Sequence, residues 1–380
     1  MVKSVLTAAG ALTTLTLAAA PAGKCACYVG SAAGGPNREA LHVLECDALT
    51  GAIRLGGSVT GYQGTTYFEL DEHGAYLYTA GIEFPPRRGK KADAFRFSVK
   101  DGRLGTGERL GSLPCGSPCH VALRPRGDRP RAEGDSPYYA AYTSAVLASV
   151  RPGGEVKSAV LSDEGRGIVP DRQQKAYAHA VFFTPDGKRA GVVNLGCDRI
   201  HFFDADTLED CGGVVRLDPG DGPRHAVWSR DSRFLYVVNE LSNSVTAFAF
   251  EDGCFSRIGK WSTLPPGFTG WSKAAAIKLT ADGKVLMVSN RGHDSIAFFA
   301  VDTAAGGLVF RGARKLAGRF PRDFELMPGE KFMVVGHKHD NEVRVYRFDR
   351  ERLEIEACGE PVKVWRPLCF KFAPSAGAGK

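Results

Sequence analysis

Apolar residues along this chain gather in short runs of about five to seven, rich in Val, Phe and Tyr and bounded by turn-forming residues, the pattern of antiparallel strands. One unit shows it clearly. Arg224-His-Ala-Val-Trp-Ser is followed by a turn at 230–233, then Phe234-Leu-Tyr-Val-Val-Asn-Glu, a second turn, and Ser244-Val-Thr-Ala-Phe-Ala-Phe. A fourth strand follows the Glu251-Asp-Gly turn.

The opening phrase of that unit recurs at residues 67–74, 120–127, 179–187, 275–283 and 322–329, and a last copy at 368–374 ends the chain. The last copy lacks partner strands. The start of the chain has a surplus of them, at 24–30, 39–46 and 53–57, so the two ends complete one unit together. A repeat of roughly fifty residues that closes end to end predicts a ring without unpaired edges. The expected fold is all-β, a seven-bladed β-propeller of four-stranded antiparallel blades over residues 24–374, with a tail at 375–380. A β-sandwich pair shares the strand spacing but needs no end-to-end copy.

Composition changes this picture little. Hydrophobic residues make up 43% and charged residues 24%, and the 46 glycines and 21 prolines are spread between the apolar runs. The net charge of +7 is mild and no run of five basic residues occurs, which argues against nucleic acid and favours a small anionic partner. Residues 1–22 read as an export signal: Lys3, an apolar stretch over 5–20, then Ala20-Pro21-Ala22. Export with no later spanning segment predicts a periplasmic or secreted protein free of the membrane, expected to be a monomer. Cytoplasmic residence is the alternative. Ten cysteines fit an oxidising compartment, and closure of the ring should set Cys369 beside the strand carrying Cys25 and Cys27, where a disulfide is plausible.

In a propeller blade the start of the first strand and the end of the second reach the same mouth of the channel. First strands here open with His120, His179, Arg224 and His225, and Arg322 and Asp323. Second strands end with Asn194, Asn239 and Glu240, Asn290 and Arg291, and His337 and Lys338. Any one of these could be a turn residue, but the set predicts a pocket of convergent polar groups. His337 and His339 also suggest a metal pair, yet no third ligand lies within reach by sequence, so neither metal nor cofactor is expected.

Gly222-Pro-Arg-His, Val238-Asn-Glu-Leu, Ser289-Asn-Arg and Pro321-Arg-Asp-Phe, set in this repeat, resemble the lactonase propellers, the family of propeller-type 6-phosphogluconolactonases and carboxymuconate lactonizing enzymes. That resemblance implies a catalytic set of His179, Arg224, Glu240 and Arg291. It also implies substrate contacts from Asn194-Leu-Gly-Cys-Asp198, where the family commonly begins with Asp, and from Gly336-His-Lys338, where it commonly has Ala-Asn-Gln. The implied activity is hydrolysis of a sugar-type or other anionic lactone, with Glu240 or His179 as base and the arginines on the developing charge. An intramolecular cyclase needs the same residues, and a non-catalytic binding propeller is the remaining alternative.

Overall fold

The computed structural model describes residues 23–32, 39–83, 92–116, 118–125, 136–151, 153–161 and 165–373, and every regular element among them is a β-strand. The export signal expected over 1–22 and the tail at 375–380 lie outside the described residues. Seven antiparallel sheets follow one another around a ring. Their inner strands are Phe68–Leu70, Pro118–Leu123, Ala178–Phe183, Pro223–Trp228, Lys273–Leu279, Pro321–Leu326 and Pro367–Phe372, numbered here as blades one to seven. Each coincides with a copy of the repeated phrase.

Closure is as expected. The last inner strand, Pro367–Phe372, pairs with Lys24–Ser31, which pairs in turn with Glu39–Asp47 and then Ile53–Thr60. The register, however, sets Cys369 opposite Gly30 and Cys27 opposite Phe372, so the disulfide expected from Cys369 to Cys25 or Cys27 is not formed. Cys25 faces Cys46 on its other neighbour, and all ten cysteines are free.

Between blades the sheets bury apolar faces against each other. Tyr236, Val238 and Val245 of blade four, for example, interdigitate with Ala274, Leu286 and Phe299 of blade five. The outer turns repeat as well: Thr184, Ser229 and Thr280 donate hydroxyl hydrogen bonds of 2.7, 2.7 and 2.8 Å to Asp186, Asp231 and Asp282. Those aspartates accept from backbone amides two residues on, which fixes the hairpin between first and second strand.

One further feature repeats and it positions the site. In blades two, three, four, six and seven the inner strand bulges by one residue near its start, leaving Cys119, His179, Arg224, Arg322 and Leu368 without a partner opposite. A bulge re-aims the side chain of its extra residue. In blade one the inner strand is instead interrupted between Tyr62–Gln63 and Phe68–Leu70, both pieces pairing with Tyr76–Glu83. These irregularities all lie at the same mouth.

Candidate functional site

The mouth holds a cavity of about 790 Å³, within the range of small-molecule pockets. Three of its wall residues, Cys119, His179 and Arg322, are bulge residues, and a further bulge residue, Arg224, is not on the wall but stands behind Glu240. Glu240 and Arg291 come from second-strand ends, Gln63, Gly64 and Thr66 from the break in blade one, and Tyr142, Arg172, Trp271, Lys273 and Phe320 from connections and strand starts between blades.

Glu240 is the hub. Its Oε1 accepts a hydrogen bond from Arg172 Nη2 at 2.6 Å, and its Oε2 lies 2.8 Å from Arg291 Nη2 and 3.3 Å from Arg224 Nε. The last contact is ionic only, because Arg224 Nε is not aligned to hydrogen-bond. Burial works against the charge on Glu240, but the Arg291, Arg224 and Arg172 guanidiniums outweigh it and hold the carboxyl well below its ordinary range. Glu240 is therefore an ionised carboxylate at any working pH. Arg224 is fully enclosed; burial first, then Arg322 and Arg291, pull its guanidinium down to about 9, still protonated at neutrality. Its Nη1 donates to the Ala275 carbonyl at 2.8 Å.

Arg322 differs from the other arginines: among the described residues it makes no hydrogen bond or ion pair, although its side chain lines the cavity. Burial and the neighbouring Arg291 depress it. Among the described residues the cavity-wall cations Arg172, Lys273, Arg291 and Arg322 face one wall carboxylate, Glu240, which leaves an excess of positive charge there.

His179 is neutral. Burial, then Arg224, drives the imidazole well below its ordinary value, and Nδ1 is buried with no hydrogen-bond partner among the described residues, while Tyr142 and His225 pack against the ring. Cys119 is no nucleophile, since burial pushes its thiol up to about 12 and Sγ donates to the His179 carbonyl at 3.2 Å.

Alternation along the strands explains where the remaining expected residues stand. Asn239 and Asn290 precede Glu240 and Arg291, so their side chains turn away from the cavity: Asn239 donates to Ser244 and Thr246 of its own blade, and Asn290 bonds Ser295 of its blade and Thr263 in the connection from blade four. Asn194 accepts from the Tyr177 and Gly196 amides, and Asp198 accepts from Gln173, Gly220 and Gly222, shaping the loop that leads to Arg224. His337 sits buried against the Tyr346 hydroxyl at 3.0 Å. None of these five reaches the cavity. Lys338 lies at the rim, its ammonium 5.2 Å from the Phe320 ring.

His120, His225 and Asp323 form a deeper layer. Each follows a bulge residue, so the bulge sends it down the channel, away from the cavity. His225 touches both His120 and His179, at ring separations of 5.0 and 5.3 Å, and Tyr67 stacks on His120 at 4.1 Å. Below them Lys278 pairs with Glu325 at 2.7 Å and lies 3.7 Å from Asp323, and Lys371 pairs with Glu69 at 2.8 Å. His339 is beyond the end of its strand and stacks on Phe320 at 4.0 Å, which parts it from His337 and dissolves the metal pair.

Fold and site together define a β-propeller with a cationic small-molecule cavity at one mouth. The chain matches the model of the family described as "Lactonase, 7-bladed beta-propeller" over residues 26–372, and it belongs to that family. It is 30% identical to the 6-phosphogluconolactonase of Bacillus subtilis, over 91% of this chain and 97% of that one. It is 31% identical to an uncharacterized protein of Staphylococcus epidermidis, over 77% of this chain and 84% of the relative. The solved structure of the periplasmic gluconolactonase of Pseudomonas aeruginosa superposes with a TM-score of 0.80 at 25% identity, covering 93% of this chain and 99% of that one.

Proposed function

We propose that this protein is a lactone hydrolase acting on an anionic, sugar-type lactone. The observation that carries the anionic part is Arg322, a guanidinium on the cavity wall with no partner among the described residues, beside arginines that already share one carboxylate. A phosphate or carboxylate on the substrate is the group that such a site binds best. The likeness to a 6-phosphogluconolactonase and to a gluconolactonase supports the lactone part.

In this reading His179 takes a proton from water as the water attacks the lactone carbonyl. Arginine donors stabilise the tetrahedral oxyanion. His179 then returns the proton to the ring oxygen as the carbon–oxygen bond breaks, giving a hydroxy acid. Glu240 is a positioning residue: fully ionised and saturated by guanidiniums, it has little basicity left and instead aims Arg224 and Arg291. Burial, and after it Arg224, holds the His179 imidazole well below its ordinary value. An anion on the arginines offsets their field, and so the part of that shift that comes from the arginines and not from burial.

Export directed by residues 1–22 belongs to the same proposal, and the likeness to a protein described as periplasmic supports it. The test is acid release from glucono-δ-lactone, its 6-phosphate and a carboxylated lactone, above the spontaneous rate and with chelator present. Faster opening of the anionic lactones supports the reading. Opening of none removes it.

A further inference from the structure

Beyond the catalytic groups, the cavity wall carries an aromatic shelf that hydrolysis of a single small ring does not use. Trp271 is 60% exposed, one of the few large apolar side chains left in solvent. It is nonetheless held in place. Its indole covers Gly292, whose φ of +99° and lack of a Cβ let the ring lie directly on the backbone; any side chain there would collide with it. It stacks on Phe320, with ring centres 6.3 Å apart and an interplanar angle of 18°.

Phe320 is itself constrained. It has a φ of +61°, a backbone region that a bulky residue adopts only when its surroundings impose it. Here the Phe320 amide donates to Asp294 at 2.8 Å and its carbonyl accepts from the Lys338 amide at 3.2 Å. Cations ring the shelf: Lys273 lies 5.7 Å from Trp271, and Arg291 and Lys338 lie 5.5 and 5.2 Å from Phe320. Lys273 makes no ion pair with any described residue.

The left-handed φ of Phe320 is unfavourable to folding, and the exposed part of the Trp271 indole contributes nothing to it. The cavity, at about 790 Å³, is also far larger than a six-carbon lactone of about a dozen non-hydrogen atoms would fill. We propose that Trp271 and Phe320 form a second subsite that stacks an additional sugar ring, so that the substrate class is the lactone of an oligosaccharide acid, not of a monosaccharide acid alone. The C–H face of a pyranose suits the electron-rich face of indole, and its hydroxyls accept hydrogen bonds from the ammonium groups at the shelf edge. The inference rests on the lactonase reading for its chemistry, but the subsite binds a sugar whether or not turnover occurs.

The experiment therefore has two readouts. The first is binding of cellobionate and gluconate, the two-ring and one-ring open acids, to the whole protein, followed by tryptophan fluorescence and checked by calorimetry. The second is kcat/KM on the corresponding lactones. Cellobionate is expected to bind more tightly than gluconate, and Trp271→Ala to lower the two-ring over one-ring ratio about tenfold in both readouts, with partial rescue by Trp271→Tyr. Because Trp271 is exposed, the variant is expected to keep the wild-type melting temperature. Equal binding of the two acids, or a ratio unmoved in Trp271→Ala, overturns the subsite. Discriminating binding without turnover of any lactone keeps the subsite and overturns the lactonase reading instead.

Discussion

Replacing Glu240 with Gln removes one negative charge from among three guanidiniums while keeping side-chain size. At an effective dielectric of about 20, unit charges about 4 Å apart attract by about 4 kcal/mol, so the three pairs are worth roughly 12 kcal/mol before desolvation. Withdrawing the carboxylate and the arginines from water offsets most of that, and breaking such buried networks typically leaves a net loss of about 3–5 kcal/mol. Unfolding entropy is about 2.1 cal/mol/K per residue, or roughly 0.7 kcal/mol/K for the propeller over 26–372. A loss of about 4 kcal/mol thus lowers Tm by roughly 5 °C. Turnover should fall about a hundredfold, equivalent to about 2.7 kcal/mol, because Arg224 and Arg291 lose the group that aims them. Affinity for the anionic hydroxy-acid product should rise, since the cavity has become more positive. Calorimetry, steady-state kinetics and product titration on the same preparation read all three, beside His179→Ala, which should lose turnover without the gain in product affinity. A large loss of kcat in Glu240→Gln with unchanged Tm and unchanged product affinity would refute the positioning role and make Glu240 the base.

Arg322→Ala should raise KM for an anionic lactone by about ten- to a hundredfold, the worth of a charged hydrogen bond, and leave discrimination between anionic and neutral lactones largely abolished. Equal preference in both proteins would remove the anion assignment. Burial pulls His42 and His337 down to about 4 and drives His120, His179 and His225 well below 6.5. A depressed histidine binds its proton more readily in the unfolded chain, so its contribution is present in full above about 6.5 and is lost as pH falls towards the folded value. Stability should accordingly fall between pH 6.5 and 5, and His42→Gln should remove about 2 kcal/mol of that fall; an unchanged slope of denaturation free energy against pH would refute it. Finally, Cys25 and Cys46 face each other on neighbouring strands and their thiols are hydrogen-bonded, so protein recovered from an oxidising compartment is expected to be lighter by two hydrogens at that pair. Full alkylation of both without reductant would exclude the bond.

The ring was readable from sequence because period-two strands and turn chemistry repeat, and because the surplus strands at 24–57 need the orphan copy at 368–374. The site was readable only to within one residue. His120 stands in the sequence where His179 stands, but the bulge makes Cys119 the equivalent of His179 and sends His120 into the channel with His225 and Asp323. A local signal for this exists: Pro118, Pro223, Pro321 and Pro367 each precede a bulge residue, and proline is tolerated in a strand at its first position or beside a bulge. Blade three lacks it, with Ala178 before His179, and so does blade five, whose register shift follows Ala274. Alternation similarly separates Asn239 from Glu240 and Asn290 from Arg291, and applying it would have withdrawn the asparagines from the cavity. Arg172, Trp271 and Phe320 had no such signal, because they reach the mouth from connections and strand starts whose course is set by packing between blades.

The repeated bulge has a consequence for how such a site acquires its chemistry. Five of the seven blades offer the same backbone socket near the start of the inner strand, filled here by Cys119, His179, Arg224, Arg322 and Leu368. Substituting a socket residue changes the cavity without touching the ladder, since the bulged position has no partner opposite to lose. At a socket outside the Glu240 network the scaffold can therefore exchange one side chain for another at little cost in stability, whereas Arg224 is tied to Glu240. Glu240 is the exception, because its charge is what allows several guanidiniums to be buried together. On this arrangement the sockets and the inter-blade connections decide which lactone is taken, and Glu240 decides whether the arginines can be gathered at all.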